Sequence, residues 1–118
     1  MGLFDRFKSH DINNGVELFK SPDINAGVES FKHTEGAILL DVRTKEEYAE
    51  GHIPDSINVP VEEIQNVEKK ITDHNLPVFV YCLRGGRAAN AVKEMKAMGY
   101  ENARSIGGIS KYKGMTVK

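Results

Sequence analysis

The stretch PVFVYCLRGGRAANAVKEMKAMG, residues 77–99, places an apolar run, a polar loop and a helical pattern in immediate succession. Residues 77–82 are typical of a strand that a parallel sheet buries on both faces. Residues 87–99 are rich in alanine, keep apolar side chains on one helical face and end at a glycine. Cys82, the only cysteine of the chain, stands where the strand ends. The stretch therefore predicts a buried strand with a thiol at its end, followed by a loop and a helix.

The rest of the chain repeats this alternation of apolar runs and helical patterns. Further strands are predicted at AILLDV (37–42), SINV (56–59) and ENARSI (101–106). Helices are predicted at TKEEYAEG (44–51), where Thr44 and Glu47 form a capping-box pattern, and at VEEIQNVEKKI (61–71). Strands that alternate with helices in this way indicate an α/β fold with a mostly parallel sheet and helices on both faces.

Composition narrows the class of protein. The 118 residues suit one domain, and 40% hydrophobic with 28% charged residues is typical of a soluble globule. One cysteine excludes an intramolecular disulfide, and a net charge of -1 argues against nucleic acid as a partner. No apolar run approaches the ~18 residues of a membrane span, and the first residues do not resemble a signal peptide. We expect a cytoplasmic protein that does not bind membranes.

An imperfect repeat occupies the N-terminal third. DINNGVELFK at 11–20 and DINAGVESFK at 23–32 agree at eight of ten positions, with an offset of 12 residues. Two copies are too few for a solenoid, which needs about three stacked units. We expect residues 1–20 to be an N-terminal extension and residues 21–118 to be the domain, with a switch between the two copies as the alternative.

The loop after Cys82 has the composition of an anion-binding site. Ligands of parallel sheets lie beyond the carboxyl ends of the strands, and Cys82 stands at one such end. The N–H groups of the loop and of the following helix can converge on an anion, and Gly85 and Gly86 permit the tight backbone that this requires. Because the thiolate is the reactive form of cysteine, the charges of Arg84 and Arg87 favour a nucleophile over an inert buried thiol.

The spacing of this loop separates two kinds of enzyme. A phosphatase or arsenate reductase loop of the form Cys-x5-Arg would need arginine at position 88, which is Ala88. Here Arg87 follows Cys82 after four intervening residues. The smaller ring favours transfer of a sulfur atom over hydrolysis of a phosphate ester.

Three separated motifs resemble the rhodanese-like domain family. LLDVRTKEEYAEGHIPDSINVP (39–60) is similar to the segment that identifies the family, and VYCLRGGRAANA (80–91) to its active-site loop. Gly107 and Gly108 match its C-terminal Gly-Gly, so that the resemblance covers roughly residues 22–115. It implies a rhodanese fold, with a roughly five-stranded, mostly parallel sheet, and sulfurtransferase activity without a cofactor or metal.

The resemblance also implies roles for individual residues. Cys82 would take a sulfane sulfur from thiosulfate or a persulfide donor and pass it to a thiol or cyanide. The backbone N–H groups of Leu83, Arg84, Gly85, Gly86 and Arg87 would bind the anionic donor. Structural roles near this face are implied for Asp41, Arg43, Glu47 and His52.

Some features leave the sulfur donor and the partners open. Leu83, Asp55 and Tyr112 depart from the residues that the family usually has at these positions, which puts donor preference in doubt. A sulfur-carrier or regulatory module of the same fold is the alternative to an enzyme. Partners would be the small donor and acceptor or a protein that supplies or accepts sulfur, and the chain would be a monomer or a weak homodimer.

Overall fold

A parallel sheet forms the centre of the molecule. The computed structural model describes residues 22–118, so the first copy of the repeat lies outside the described residues. The strands are β1 (Ile38–Asp41), β2 (Ser56–Asn58), β3 (Val78–Cys82) and β4 (Ala103–Gly108). The α-helices are α1 (Ile24–Lys32), α2 (Lys45–Glu50) and α3 (Gly86–Ala97), and 3₁₀ segments occupy Val61–Lys69 and Ile109–Lys111. All strand pairs are parallel, in the order β2-β1-β3-β4.

The predicted fold class is confirmed. The described residues form four strands, against the roughly five that the resemblance implies. The last strand runs to Gly108, two residues past its predicted end at residue 106, because the two glycines pair with β3. Within residues 22–118, no helix has both the length and the apolar character that crossing a membrane requires.

Both faces of the sheet are covered, as the alternation of side chains along a strand requires. On one face, Leu39 of β1 and Phe79 of β3 pack with α1. On the other face, Leu40 and Val80 pack in a cluster that includes residues of α3 and of the first 3₁₀ segment. Cys82 belongs to this second cluster, so the strand that carries the thiol is anchored in the core.

Helix α1 lies on the sheet through a glycine contact. A Cβ atom on Gly27 would lie 2.6 Å from Cγ2 of Ile106, much closer than real side chains approach one another. The helix begins at an N-cap, Asp23, whose carboxylate accepts a hydrogen bond from the N–H of Asn25. The Asn25 side chain donates to the carbonyl of Lys111 and accepts from the N–H of Lys113. Helix α1 is thereby joined to the C-terminal segment.

The segment after β2 is helical, but its geometry differs from the α-helix that the spacing predicts. Val61–Lys69 is a 3₁₀ segment, interrupted by non-helical backbone at Glu63. Its apolar residues Val61, Ile64 and Val67 recur every three residues, which suits three residues per turn. The prediction of a buried apolar face is correct, and that of α-helical geometry is wrong.

Asp55 adopts a backbone conformation that glycine adopts more easily. Its φ of 73° makes it the only residue other than glycine with a positive φ among residues 22–118. Aspartate tolerates this region better than most residues, although it costs free energy there. The turn just before β2 therefore accommodates Asp55, although it departs from the residue that the family usually has there.

Candidate active site

The sulfur of Cys82 accepts two hydrogen bonds from the backbone of its own loop. The N–H groups of Gly85 and Ala88 lie 3.0 and 3.3 Å from the sulfur. Cys82 is only 1% exposed, so almost none of its surface is open to solvent. Two N–H dipoles directed at one sulfur atom form an arrangement that can bind negative charge.

Each of the two glycines of the loop has a different part in this geometry. Gly85 has a φ of 112° and is the residue from which α3 begins. This left-handed backbone, which glycine adopts without steric cost, places the N–H of Gly85 against the sulfur. Gly86 is already the first residue of α3, and a Cβ there would meet no atom within 4 Å. The expected need for glycine therefore applies to Gly85 and not to Gly86.

A second Gly-Gly pair, Gly107 and Gly108 of β4, lies against the loop. The register between β3 and β4 shifts by one residue after Val80, so that Gly108 pairs with Cys82. A Cβ atom on Gly108 would lie 2.5 Å from the Cα of Arg84 and would also contact the carbonyl of Leu83. That carbonyl accepts a hydrogen bond of 3.1 Å from the N–H of Ser110. Position 108 is thus restricted to glycine because the loop backbone lies where a side chain would be.

Arg87 is paired with a carboxylate of α2. Its guanidinium donates to both oxygens of Glu47, at 2.8 and 3.2 Å. Glu47 also completes the predicted capping box with Thr44. The hydrogen bond from Arg87, helped by Thr44, lowers the pKa of Glu47 to about 2, and Glu47 in turn raises the pKa of Arg87. Both groups are therefore charged at neutral pH, and the pair joins the start of α3 to α2.

Asp41 and Arg43 form a buried ion pair at the end of β1. The two carboxylate oxygens of Asp41 accept from Nε and the terminal nitrogen of Arg43, with a shortest distance of 2.7 Å. The same nitrogen donates to the carbonyl of Gly51, and the Asn58 amide donates to the carbonyls of both paired residues. Burial works against the charge of Arg43, but Asp41 more than offsets it and raises the pKa of Arg43. The pair fixes the turn that leads from β1 into α2.

His52 lies in a separate cluster. Its ring stacks on Tyr48 with 3.7 Å between ring centroids, and its Nδ1 lies 2.8 Å from the Tyr48 carbonyl. Its backbone exchanges two hydrogen bonds with Val117 near the C-terminus. These contacts hold neighbouring segments together, and none of them reaches the cysteine loop.

Two loop residues, Leu83 and Arg84, are more exposed than Cys82. Leu83 is half-buried, and Arg84 is exposed and makes no ion pair within residues 22–118. Arg84 and Lys111 line a surface pocket of about 590 Å³ that Gly85 and Gly108 also border. Within the described part of the chain, no group of His, Cys, Asp and Glu side chains could hold a metal ion.

Sequence reasoning missed several residues of this site. Ala88 supplies one of the two N–H donors, although the expected donors ended at Arg87. Ser110 and Asn58 hold neighbouring backbone, and nothing in their local sequence indicates it. The expected contribution of N–H groups from the following helix pointed to this position, but it did not identify Ala88 by itself.

Comparisons with known proteins agree with this geometry. A family model described as the rhodanese-like domain matches residues 26–115. Adenylyltransferase and sulfurtransferase uba4 of Ogataea parapolymorpha is 36% identical over 75 residues, which cover 63% of this chain and 19% of uba4. Thiosulfate sulfurtransferase PspE of Escherichia coli is 32% identical over 71 residues, which cover 59% of this chain and 68% of PspE. A solved structure of a rhodanese with anions from E. coli superposes with a TM-score of 0.65 at 30% identity, covering 70% of this chain and 98% of the other.

The contact at Gly108 gives a testable prediction with a matched control. Gly108→Ala places a Cβ against the backbone of Leu83 and Arg84, so we expect it to displace the loop and to lower the free energy of unfolding by about 1–3 kcal/mol. Gly86→Ala adds a Cβ in open space at a helical position, so we expect no loss of stability. Denaturant unfolding and the reaction rate of Cys82 with a disulfide reagent measure both effects. Equal behaviour of the two variants would contradict the contact.

Proposed function

Since the chain belongs to the rhodanese-like domain family, whose members include thiosulfate sulfurtransferases, we propose that it transfers sulfane sulfur through a persulfide on Cys82. The observation that carries the proposal is the pair of backbone N–H groups directed at the Cys82 sulfur. Both donors can stabilise negative charge on the sulfur, and the thiolate is the form of cysteine that attacks sulfur. The thiosulfate donor and the cyanide or thiol acceptor are part of the proposal.

In the first step the Cys82 thiolate attacks the outer sulfur of thiosulfate. A bond forms between Sγ and this sulfur while the sulfur–sulfur bond of thiosulfate breaks, and sulfite leaves with the bonding electron pair. Cys82 then carries one additional sulfur, as a persulfide anion. The two N–H groups that meet Sγ belong to a loop at the N-terminus of a helix, and this supports binding of the anionic product there.

In the second step an external nucleophile removes the outer sulfur. Cyanide attacks it to give thiocyanate, or a thiolate attacks it to give a new persulfide, and in both cases Cys82 leaves as the thiolate. Cys82 is the only cysteine of the chain, so no second thiol of the same chain can resolve the persulfide as a disulfide. An external acceptor is therefore part of every turnover.

The two arginines of the loop have different parts in this proposal. Arg87 is held by Glu47 and acts as a positioning residue, because it ties the start of α3 to α2. Arg84 is exposed and shares a pocket with Lys111 beside Gly85. These features support Arg84 as the cation that an anionic donor meets first.

The persulfide is tested by mass spectrometry of the intact protein. After incubation with thiosulfate and removal of excess reagent, we expect the mass to increase by one sulfur atom, because the loop stabilises the persulfide anion. Added cyanide should remove the increase and release thiocyanate. Cys82→Ser, which cannot form the persulfide, is the control. An unchanged mass after thiosulfate, polysulfide and glutathione persulfide in turn would contradict the proposal.

The role of Arg84 is tested by steady-state kinetics. We expect Arg84→Ala to raise KM for thiosulfate about three- to tenfold with little effect on kcat, since it removes an exposed charge from the donor's path. Arg104→Ala is the matched control, because Arg104 is also exposed but lies on β4 over the ring of Phe79. An equal KM for the two variants would show that Arg84 does not bind the donor.

A further inference from the structure

The N-terminal repeat is longer than its most similar part. SHDINNGVELFK (9–20) and SPDINAGVESFK (21–32) follow one another without a gap and agree at nine of twelve positions. In the structure, the second copy is the N-cap and helix α1, which covers one face of the sheet. The contacts of α1 therefore show which positions of the repeat matter for packing.

The positions that face the sheet are identical in the two copies. Ile24 and Val28 are each 2% exposed in the cluster under α1, and Phe31 packs against this cluster. Its ring makes an edge contact with Phe79, with 6.2 Å between the ring centroids. The corresponding residues of the first copy are Ile12, Val16 and Phe19.

The residues with special geometry are also identical. Gly27, where a Cβ would collide with Ile106, corresponds to Gly15. The N-cap Asp23 corresponds to Asp11. Asn25, which bonds the backbone of Lys111 and Lys113, corresponds to Asn13.

The three positions that differ are not among the residues that the sheet buries. They are Pro22, Ala26 and Ser30 in the second copy, and His10, Asn14 and Leu18 in the first. All three residues of the second copy are exposed. No difference between the copies therefore alters a residue that the sheet buries.

We propose that residues 11–20 are a second occupant of the α1 groove, the sheet surface of Leu39, Phe79, Tyr81 and Ile106 that α1 covers. Each chain then has two segments that fit one surface, and only one of them can occupy it at a time. This inference depends on the packing of α1 and holds whether or not the chain transfers sulfur.

The second copy is the preferred occupant for two physical reasons. Five residues, 33–37, connect it to β1, whereas seventeen residues, 21–37, would connect the first copy. Closing the longer connection disfavours the first copy about sixfold. The N–H and hydroxyl of Thr34 also bond carbonyls at the end of α1, and the residue in this place after the first copy is Pro22, which has no N–H.

An exchange would alter the surroundings of the cysteine loop. Pro22 borders the pocket that Arg84 lines, and its carbonyl lies close to Gly107. His10 would take the place of Pro22 when the first copy is docked. The repeat would thus present two different side chains beside the loop without altering the core.

The exchange is tested with four full-length proteins: the natural chain, Val16→Asp, Val28→Asp and the double variant. Val28→Asp introduces an unpaired carboxylate into the groove, so the first copy should replace the second. We expect the folding equilibrium constant to fall about ten- to thirtyfold in Val28→Asp and less than about twofold in Val16→Asp. In the double variant, we expect the folding equilibrium constant to fall at least about a hundredfold below that of Val28→Asp, because no intact copy remains. Denaturant unfolding measures all four constants.

Several outcomes would overturn the proposal. One is a loss in Val28→Asp as large as that in the double variant, which would show that the first copy gives no rescue. Another is a double variant no less stable than the single variants, which would show that the groove does not require the valine. Sedimentation at two protein concentrations provides the last check. If the Val28→Asp protein is folded only as an oligomer, the first copy occupies the groove of another chain and not that of its own.

Discussion

Two backbone N–H groups, of Gly85 and Ala88, meet the sulfur of Cys82, and the surrounding structure keeps them there. The loop can turn back on the sulfur because Gly85 adopts a left-handed backbone, and α3 begins directly after it. Gly108 of β4 lies against the loop, and the loop backbone fills the space that a side chain at position 108 would need. A small number of backbone positions thus determines the direction of the donors, which is the property that an anion-binding loop requires.

Ion pairs hold the elements around this loop. The buried pair of Asp41 and Arg43 fixes the turn after β1, and α2 begins directly after that turn. Glu47 of α2 then holds Arg87 at the start of α3. The family resemblance implied structural roles for Asp41, Arg43 and Glu47, and these contacts are consistent with such roles. We propose that the three residues support the reaction only by holding these elements in place.

The sequence predicted those features that depend on neighbouring residues. The apolar run of β3, the capping box of Thr44 and Glu47 and the helix after the loop are local patterns, and all are present. The contacts of Glu47 with Arg87 and of Gly108 with Arg84 join residues far apart in the chain, so periodicity and spacing could not indicate them. The 3₁₀ geometry after β2 was missed because apolar residues three apart suit both helix types.

The proposed mechanism depends on the loop binding the sulfur that Cys82 receives. A high-resolution crystal structure of the thiosulfate-treated protein tests this most directly, because it locates the transferred atom. We predict one additional sulfur on Cys82, within hydrogen-bonding distance of at least one backbone N–H of residues 83–88. A transferred sulfur that points away from these N–H groups would contradict the account.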